Sequence, residues 1–579
     1  MNNTREISDD LAPQIRESWT RAQQYWSRFL LLSDPVDDQQ NASVGRIDLA
    51  TRQVSLNFKL IQDKALTGSI EAILAHQIGH HVRYPASLTV LARLQLLEQS
   101  LIPLKDYSIT NLFTDLMINE RLGSEFKLPL IQVYQAFIDD TAFFNQSKLK
   151  NNVVALSRSS EDLIWKRDPA FLFYLAIYEE LWQLKPGSLM GKGCIDFHNN
   201  YEGYRAEAQI LSLNLFNLGP NLYSQFLYFA SVLTRYLKPQ IGNAVVNINP
   251  YECSCGEPSP DDWASALIPD AKEKEALVRA LDEGWVKDDQ RKRLKEAGKI
   301  EHRISGLPGY NGRNPEKIPE IMAAYYRQVA EQFLLRSPRQ RLMGEAIVPT
   351  TLEEWEMGDS VREVDWLATF LERGEALGSA KPLKRSKIGE VQGHDISLWQ
   401  PRMEIYLDVS GSMPNPCIAQ NAMTLAAQIL VVGTIRAGGW VRALLYSGTS
   451  LSHWTWCRSE IELSRFLMQY IGSGTEFPFP ILDRSVSEPM ECKPIRVVVT
   501  DSDFDDNYNS KPEHARIFRR AVEESAVFVL LLHGPKMKSV KLYRSIGARV
   551  IEVETVADYP KMAADLTFAL FPDENHGSA

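Results

Sequence analysis

From Met403 onward the chain switches to a regular alternation of short apolar runs and longer amphipathic stretches, and this limits it more than any other feature. Apolar runs at 403–407, 440–446, 495–500, 526–532 and 548–553 read as strands. Between and after them, helical periodicity appears at about 417–437, 459–471, 512–524, 536–545 and 556–570. Strands separated by helices of this length predict a parallel sheet covered on both faces, a doubly wound α/β unit over 401–579. In such a sheet ligands gather at the carboxyl ends of the strands.

One strand end stands out. "MEIYLDVSGSM" closes on Asp408-Val409-Ser410-Gly411-Ser412, which offers a carboxylate and two hydroxyls from a single turn. "YIGSGTEFP" supplies Thr475 from a glycine-flanked loop, and "RVVVTDSD" supplies Asp501 at the end of a buried strand. Hard oxygen donors of this kind suit Mg²⁺. The plain alternative is a strand-to-helix turn with a capping residue. The order Asp-x-Ser-x-Ser, Gly-x-Gly-Thr, Thr-Asp resembles the metal-ion-dependent adhesion site of von Willebrand factor type A domains, over about 400–572. The resemblance implies that Ser410, Ser412 and Thr475 contact the cation, while Asp408 and Asp501 act through water or hold the hydroxyls. It also implies an open coordination position that a partner's Asp or Glu fills. Ser502 stands where a glycine is usual, and Asp503, Asp505 and Asp506 leave the choice of carboxylate open.

The first part of the chain has a different texture. Residues 8–33 carry Leu11, Ile15, Trp19, Trp26 and Leu30 at helical spacing, and "GRIDLATRQVSLNFKL" alternates around a turn as a hairpin would. A helix holding "AHQIGHH" follows. His76 and His80, four apart, share one face, the spacing by which two imidazoles grip one Zn²⁺. A third ligand would come from "NLFTDLMINERL", where Asn111, Asp115 and Asn119 form a polar stripe; Asp115 is the first choice and Glu120 the reserve. Alternatively, Ile70, Ile73, Leu74, Ile78 and Val82 would bury an ordinary amphipathic helix. The layout resembles the zincin fold over about 45–125, in particular metallopeptidase-like domains fused to A-like domains in bacteria. Gln77 departs from it, because a neutral amide cannot take the proton that a catalytic glutamate takes from metal-bound water. A metallopeptidase-like domain without peptidase activity is therefore expected.

The organisation read from these signals is a zincin-like α+β domain over 1–150, a mainly helical region over 151–345 with a charged connector at 251–320, an irregular approach at 346–400, and the α/β domain. "LEEWEMGDSVREVDWLATFLERG" resembles, through Trp355, Gly358, Asp359 and Asp365, the segment that precedes the A domain in bacterial proteins working with MoxR-type AAA+ ATPases. "GSLMGKG" at 187–193 is one residue short of a phosphate loop and ends in Gly193 where Ser or Thr is needed.

Composition narrows the classes. A net charge of −10 over 579 residues argues against nucleic-acid binding through overall charge. No apolar run is long enough to span a bilayer. Six scattered cysteines do not make a disulfide framework, and cytoplasmic residence is expected. The leading expectation is a Mg²⁺-dependent protein-binding adaptor working with a MoxR-type ATPase. The alternatives are an active zinc metallopeptidase with an atypical base and a chelatase-type metal-insertion subunit.

Overall fold

The computed structural model describes residues 12–41, 43–102, 108–138, 169–191, 193–237, 255–310, 316–334, 342–343, 351–361, 364–373, 381–386, 397–398 and 400–571. Positions 8–11 of the expected opening helix, Lys192 and Cys253 lie outside them. The chain forms two compact units, residues 1–328 with 416–420, and residues 329–415 with 421–579. Among the described residues no helix is long and apolar enough to cross a membrane.

The first unit opens with helix Ala12–Gln24 and a small sheet of β1 (Val36–Asp37), β2 (Gly45–Asp48) and β3 (Gln53–Leu56). The predicted hairpin is β2–β3, paired from Gly45↔Leu56 to Asp48↔Gln53, and β1 adds in parallel to β3. The histidine helix, Ile70–Val82, is buried at every position from 72 to 80. It is more enclosed than its periodicity predicts, although Val82, expected in the core, is exposed.

Beside it runs helix Ile109–Ser124. Its first backbone N–H groups, which have no partner within a helix, donate to the buried Glu98 carboxylate from Ile109 at 3.0 Å and Thr110 at 2.9 Å. Gly79 allows the close packing here. A Cβ at this position would lie 2.6 Å from Trp26 and 2.8 Å from Ile118, so any larger residue would push the two helices apart.

The stretch read as a charged connector carries helices Pro260–Leu267, Ala271–Asp282, Asp288–Glu296 and Ile300–Ser305. These are packed elements. Ala276, Leu277, Ala280 and Leu294 belong to the core of the first unit, and Glu273 accepts from Arg303 at 2.5 Å with both side chains buried.

The second unit begins with two short antiparallel pairs. These join β4 (Leu342–Met343) to β7 (Ser397–Leu398), and β5 (Thr351–Glu354) to β6 (Leu383–Ser386). Its main sheet holds β8 (Arg402–Asp408), β9 (Trp440–Tyr446), β10 (Ser450–Cys457), β11 (Ile495–Thr500), β12 (Val527–His533) and β13 (Arg549–Val553). The spatial order is β10-β9-β8-β11-β12-β13. All neighbours are parallel except β10, an antiparallel edge strand that the sequence reading missed. The expected all-parallel sheet is thus mixed.

Helices Ala422–Arg436 and Tyr559–Leu570 pack together on one face, and Phe479, Phe504, Phe518 and Tyr543 cover the other. Between β8 and β11 the chain reverses its winding direction. The crevice at their carboxyl ends is the place where such sheets hold ligands.

Opposite that end, Glu404 lies inside the sheet and accepts from Arg442 Nη2 at 2.7 Å and Arg496 Nε at 2.9 Å. All three side chains are buried. Trp454 and Trp456 flank the Arg442 guanidinium at 3.9 and 4.6 Å, and Glu488 accepts from its Nη1 at 2.7 Å.

Candidate metal centres

The structure brings four of the five oxygen-bearing residues of the second unit into one hydrogen-bonded set. Asp408 ends β8, and the chain turns at once, so Ser410 N–H donates to Asp408 Oδ1 at 3.0 Å. Ser410 Oγ and Ser412 Oγ are 3.0 Å apart. Ser412 Oγ donates to Asp501 Oδ2 at 3.1 Å, across from the end of β11. Thr500, the last residue of β11, donates its hydroxyl to the second Asp408 oxygen at 3.0 Å.

The fifth residue, Thr475, comes with the loop after Gly472. Gly411 N–H donates to Ser473 O at 2.9 Å and Gly472 N–H to Val409 O at 3.1 Å, which docks the loop on the serine turn. Gly472 has φ +67°, and a Cβ there would meet the Tyr470 ring at 2.5 Å. The Thr475 hydroxyl makes no hydrogen bond to a described residue, while its backbone carbonyl accepts from Asn507 at 3.0 Å.

Two of the later acidic residues have other partners. Asp505 is buried and accepts from Tyr543 OH at 2.8 Å and Lys536 N at 3.3 Å, and Asp506 pairs with Lys536 Nζ at 3.2 Å. Asp501 is the acidic residue that meets Ser412.

Electrostatics suit this set to a cation. Burial, with Asp501 nearby, pushes the Asp408 carboxyl up to about 6. A buried carboxylate facing a second carboxylate and two hydroxyls is a local excess of negative charge. A hard divalent ion with oxygen ligands offsets such an excess, and the donor set fits Mg²⁺.

In the first unit, His76 Nε2, His80 Nε2 and Asp115 Oδ1 converge. The separations are 3.2 Å between the two nitrogens and 3.4 and 3.1 Å from each to the oxygen. All three side chains are buried. The far nitrogens are already engaged: His80 Nδ1 donates to Tyr84 O at 2.8 Å and His76 Nδ1 lies 2.7 Å from Asn119 Oδ1. His76 Nε2 and His80 Nε2 both face Asp115 Oδ1, the arrangement in which the three groups share a proton or a metal ion.

Burial holds the His76 imidazole below its ordinary value, hence neutral at pH 7. For Asp115 burial acts upward, but the hydrogen bonds and charges of His76 and His80 bring it below the usual carboxylate range. Three lone pairs aimed at one point repel unless a proton or a cation sits among them. The spacing matches the roughly 3.3 Å between ligands of a tetrahedral zinc with 2.0–2.1 Å bonds.

Asp115, not Glu120, occupies the third corner; Glu120 lies outside the cluster, and burial raises its carboxyl. Gln77 is fully buried on the same helix.

The surroundings of this cluster were only partly legible. Asn119 belongs to the predicted stripe, whereas Tyr134 and Tyr178, whose hydroxyls accept from Asn119 Nδ2 at 3.1 and 2.9 Å, were not anticipated. Tyr134 comes from the next helix, Leu130–Gln135, and Tyr178 from helix Pro169–Leu181, and nothing local marks either. In the "GSLMGKG" loop the backbone donors of residues 187–191 are occupied internally. Gly187, Leu189 and Met190 N–H all donate to the Glu179 carboxylate, at 3.0, 2.8 and 3.1 Å, so they are not presented to a phosphate.

No family model matches the chain, and no curated protein matches it. Among solved structures it is similar to a von Willebrand factor type A protein from Catenulispora acidiphila, with 12% identity, 30% of this chain and 43% of that chain covered, and a TM-score of 0.23. It is also similar to an aerotolerance-related membrane protein from Bacteroides fragilis NCTC 9343 carrying multiple mutations to serines. There the identity is 14%, with 29% of this chain and 99% of that chain covered, at a TM-score of 0.22. The chain spans less than half the length of the first of these.

Proposed function

We propose that the α/β unit is a cation-dependent protein-docking module. Ser410, Ser412 and Thr475 would hold Mg²⁺ directly, with Asp408 and Asp501 acting through water or through the hydroxyls. A carboxylate from a protein partner would complete the coordination. The observation that carries this reading is the convergence of Asp408, Ser410, Ser412 and Asp501 at the winding reversal between β8 and β11. Hydroxyls and carboxylates there provide ligands but no activated nucleophile or base, so binding is the role they serve.

The first unit, on this reading, is a zinc-stapled scaffold. His76, His80 and Asp115 would join helix Ile70–Val82 to helix Ile109–Ser124 through the ion. Peptidase action is disfavoured by two features: a buried Gln77 stands at the base position, and the three ligands are at most 1% exposed, which leaves no room for a peptide.

The partner proposed is a MoxR-type AAA+ ATPase, on the resemblance carried by Trp355, Gly358, Asp359 and Asp365. Three of these have local structural work as well. Trp355 Nε1 donates to Ser360 O at 3.3 Å. Asp359 accepts from Lys384 Nζ at 2.6 Å, and Asp365 Oδ1 accepts from Ala368 N at 2.9 Å at the start of helix Trp366–Arg373. Co-purification of the full chain with the ATPase in Mg²⁺ and in EDTA tests the proposal. Capture lost in EDTA and in Asp408→Ala supports it, and capture unchanged by both rejects it.

A further inference from the structure

A second cluster of ligating atoms lies in the α/β unit, apart from the Asp408 turn. His453 Nε2 is 2.8 Å from Glu462 Oε1, and Cys457 Sγ is 3.5 Å from Glu462 Oε2. The imidazole nitrogen, thiol sulfur and carboxylate oxygen all lie within 4.8 Å of one another. His453 and Cys457 are on the edge strand β10, and Glu462 is in the first turn of helix Glu460–Leu467.

The strand itself is deformed to bring them together. In a regular strand residues four apart are about 13 Å from each other along the chain axis. In β10 the pairing jumps from His453↔Ala443 to Cys457↔Val441, so four steps on β10 match two on β9. This bulge shortens the span to about 7 Å. Meanwhile Trp454 and Trp456 stack on Arg442.

Further contacts fix the orientation of each group. Ser459 N–H donates to Cys457 Sγ at 3.2 Å, as backbone amides do toward metal-bound thiolates. Ser459 Oγ accepts from Glu462 N at 3.2 Å and so sets the start of the helix that carries the carboxylate. The His453 ring meets Phe466 edge-on, with centroids 5.7 Å apart.

We infer that His453, Cys457 and Glu462 form a transition-metal site of zinc class, with one open coordination position. A thiolate and an imidazole beside a carboxylate select zinc over magnesium or calcium. Binding requires the thiol to give up its proton to solvent. It also requires Glu462, the most exposed of the three, to rearrange, because its Oε1 faces His453 and its Oε2 faces Cys457, whereas one of its oxygens must serve the ion. The site is separate from the Asp408 turn: His453 is level with Ala443 and Ile405, three residues or about 10 Å down the sheet from Asp408, and two strands out. The ion would tie the free edge of the sheet to helix Glu460–Leu467.

The experiment is titration of the metal-free full chain with Co²⁺, followed by optical absorption. Neither of the other two candidate centres contains a cysteine, so a thiolate-to-cobalt charge-transfer band reports this site. The expected result is one equivalent of band-forming Co²⁺ per chain. The band is lost in Cys457→Ser and His453→Ala and is retained in His80→Ala. Absence of the band, or its survival in Cys457→Ser, overturns the assignment. Should Cys457→Ser fail to fold, maleimide labelling of the wild-type chain decides the matter. Zn²⁺ slows modification of Cys457 at least tenfold if the site exists, and equal rates with and without Zn²⁺ overturn it.

Discussion

Ser412 Oγ donates to Asp501 Oδ2 at 3.1 Å, joining the turn after β8 to the end of β11 across 89 residues. The two strands are hydrogen-bonded neighbours, so folding the sheet assembles this pair before any ion arrives. This set of oxygen donors is preorganised, and its chemistry should respond to changes at single atoms.

Asp408 provides the first test. Its ionised form is costly in the metal-free protein, because burial and Asp501 both oppose the charge. Asp408→Asn should therefore raise the metal-free Tm at pH 7.5, by an amount equivalent to about 1–2 kcal/mol. The same variant should lose the Tm increase that Mg²⁺ gives the wild type. Differential scanning calorimetry with and without Mg²⁺ reads both effects, and a Mg²⁺ response equal to wild type refutes the assignment.

The same carboxyl predicts a pH dependence. Its folded-state pKa, about 6, is raised above the ordinary carboxylate value. Its contribution to metal-free stability is therefore fully present below about pH 4 and lost as pH rises through about 6. For the ion the sign reverses, since a proton on Asp408 competes with Mg²⁺. Affinity should rise about tenfold between pH 5 and 7 and level off above that, with up to one proton released per ion at the low end. Calorimetry in two buffers of different ionisation enthalpy measures the proton count, and a flat profile contradicts the role given to Asp408.

Zinc removal should loosen the first unit. Without the ion, helix Ile70–Val82 and helix Ile109–Ser124 lose the link that His76, His80 and Asp115 would make through it, so a strong chelator should lower the Tm of this unit by several degrees. His80→Ala should abolish stoichiometric zinc in elemental analysis. Gln77→Glu should bring no peptide hydrolysis on a fluorogenic casein, because the ligands stay buried. Cleavage by that variant would show that substrate reaches the centre.

Glu404 is the hinge of a purely structural prediction. Glu404→Ala leaves Arg442 and Arg496 with an uncompensated buried charge, which costs about 3–5 kcal/mol. Urea unfolding of the α/β unit should show a loss of that size. Glu488 sits at the rim and is about one-third exposed, so Glu488→Ala should cost about 1 kcal/mol or less.

How much of this was legible depended on where each signal lay. β8, β9 and β11 announce themselves as apolar runs, interrupted by Glu404, Arg442 and Arg496, because both of their faces are buried, and the Asp408 turn follows from a strand end. β10, "SLSHWTWC", has neither a continuous apolar run nor clean alternation, since it is an edge strand with mostly exposed side chains. Its bulge, and hence the approach of His453 to Cys457, has no signature in the residues themselves. The histidine helix betrayed its spacing, and Asp115 stood out as an acid in an apolar helix. Tyr134 and Tyr178 were invisible as support because a buried tyrosine reads as core until its hydroxyl partner is known.

The most direct test of the central claim is isothermal titration of Mg²⁺ into the metal-free full chain and into Ser412→Ala. The account predicts one Mg²⁺ per chain at the α/β unit, with affinity reduced at least tenfold in the variant while its far-ultraviolet circular dichroism is unchanged. Equal Mg²⁺ binding by the two proteins would contradict it.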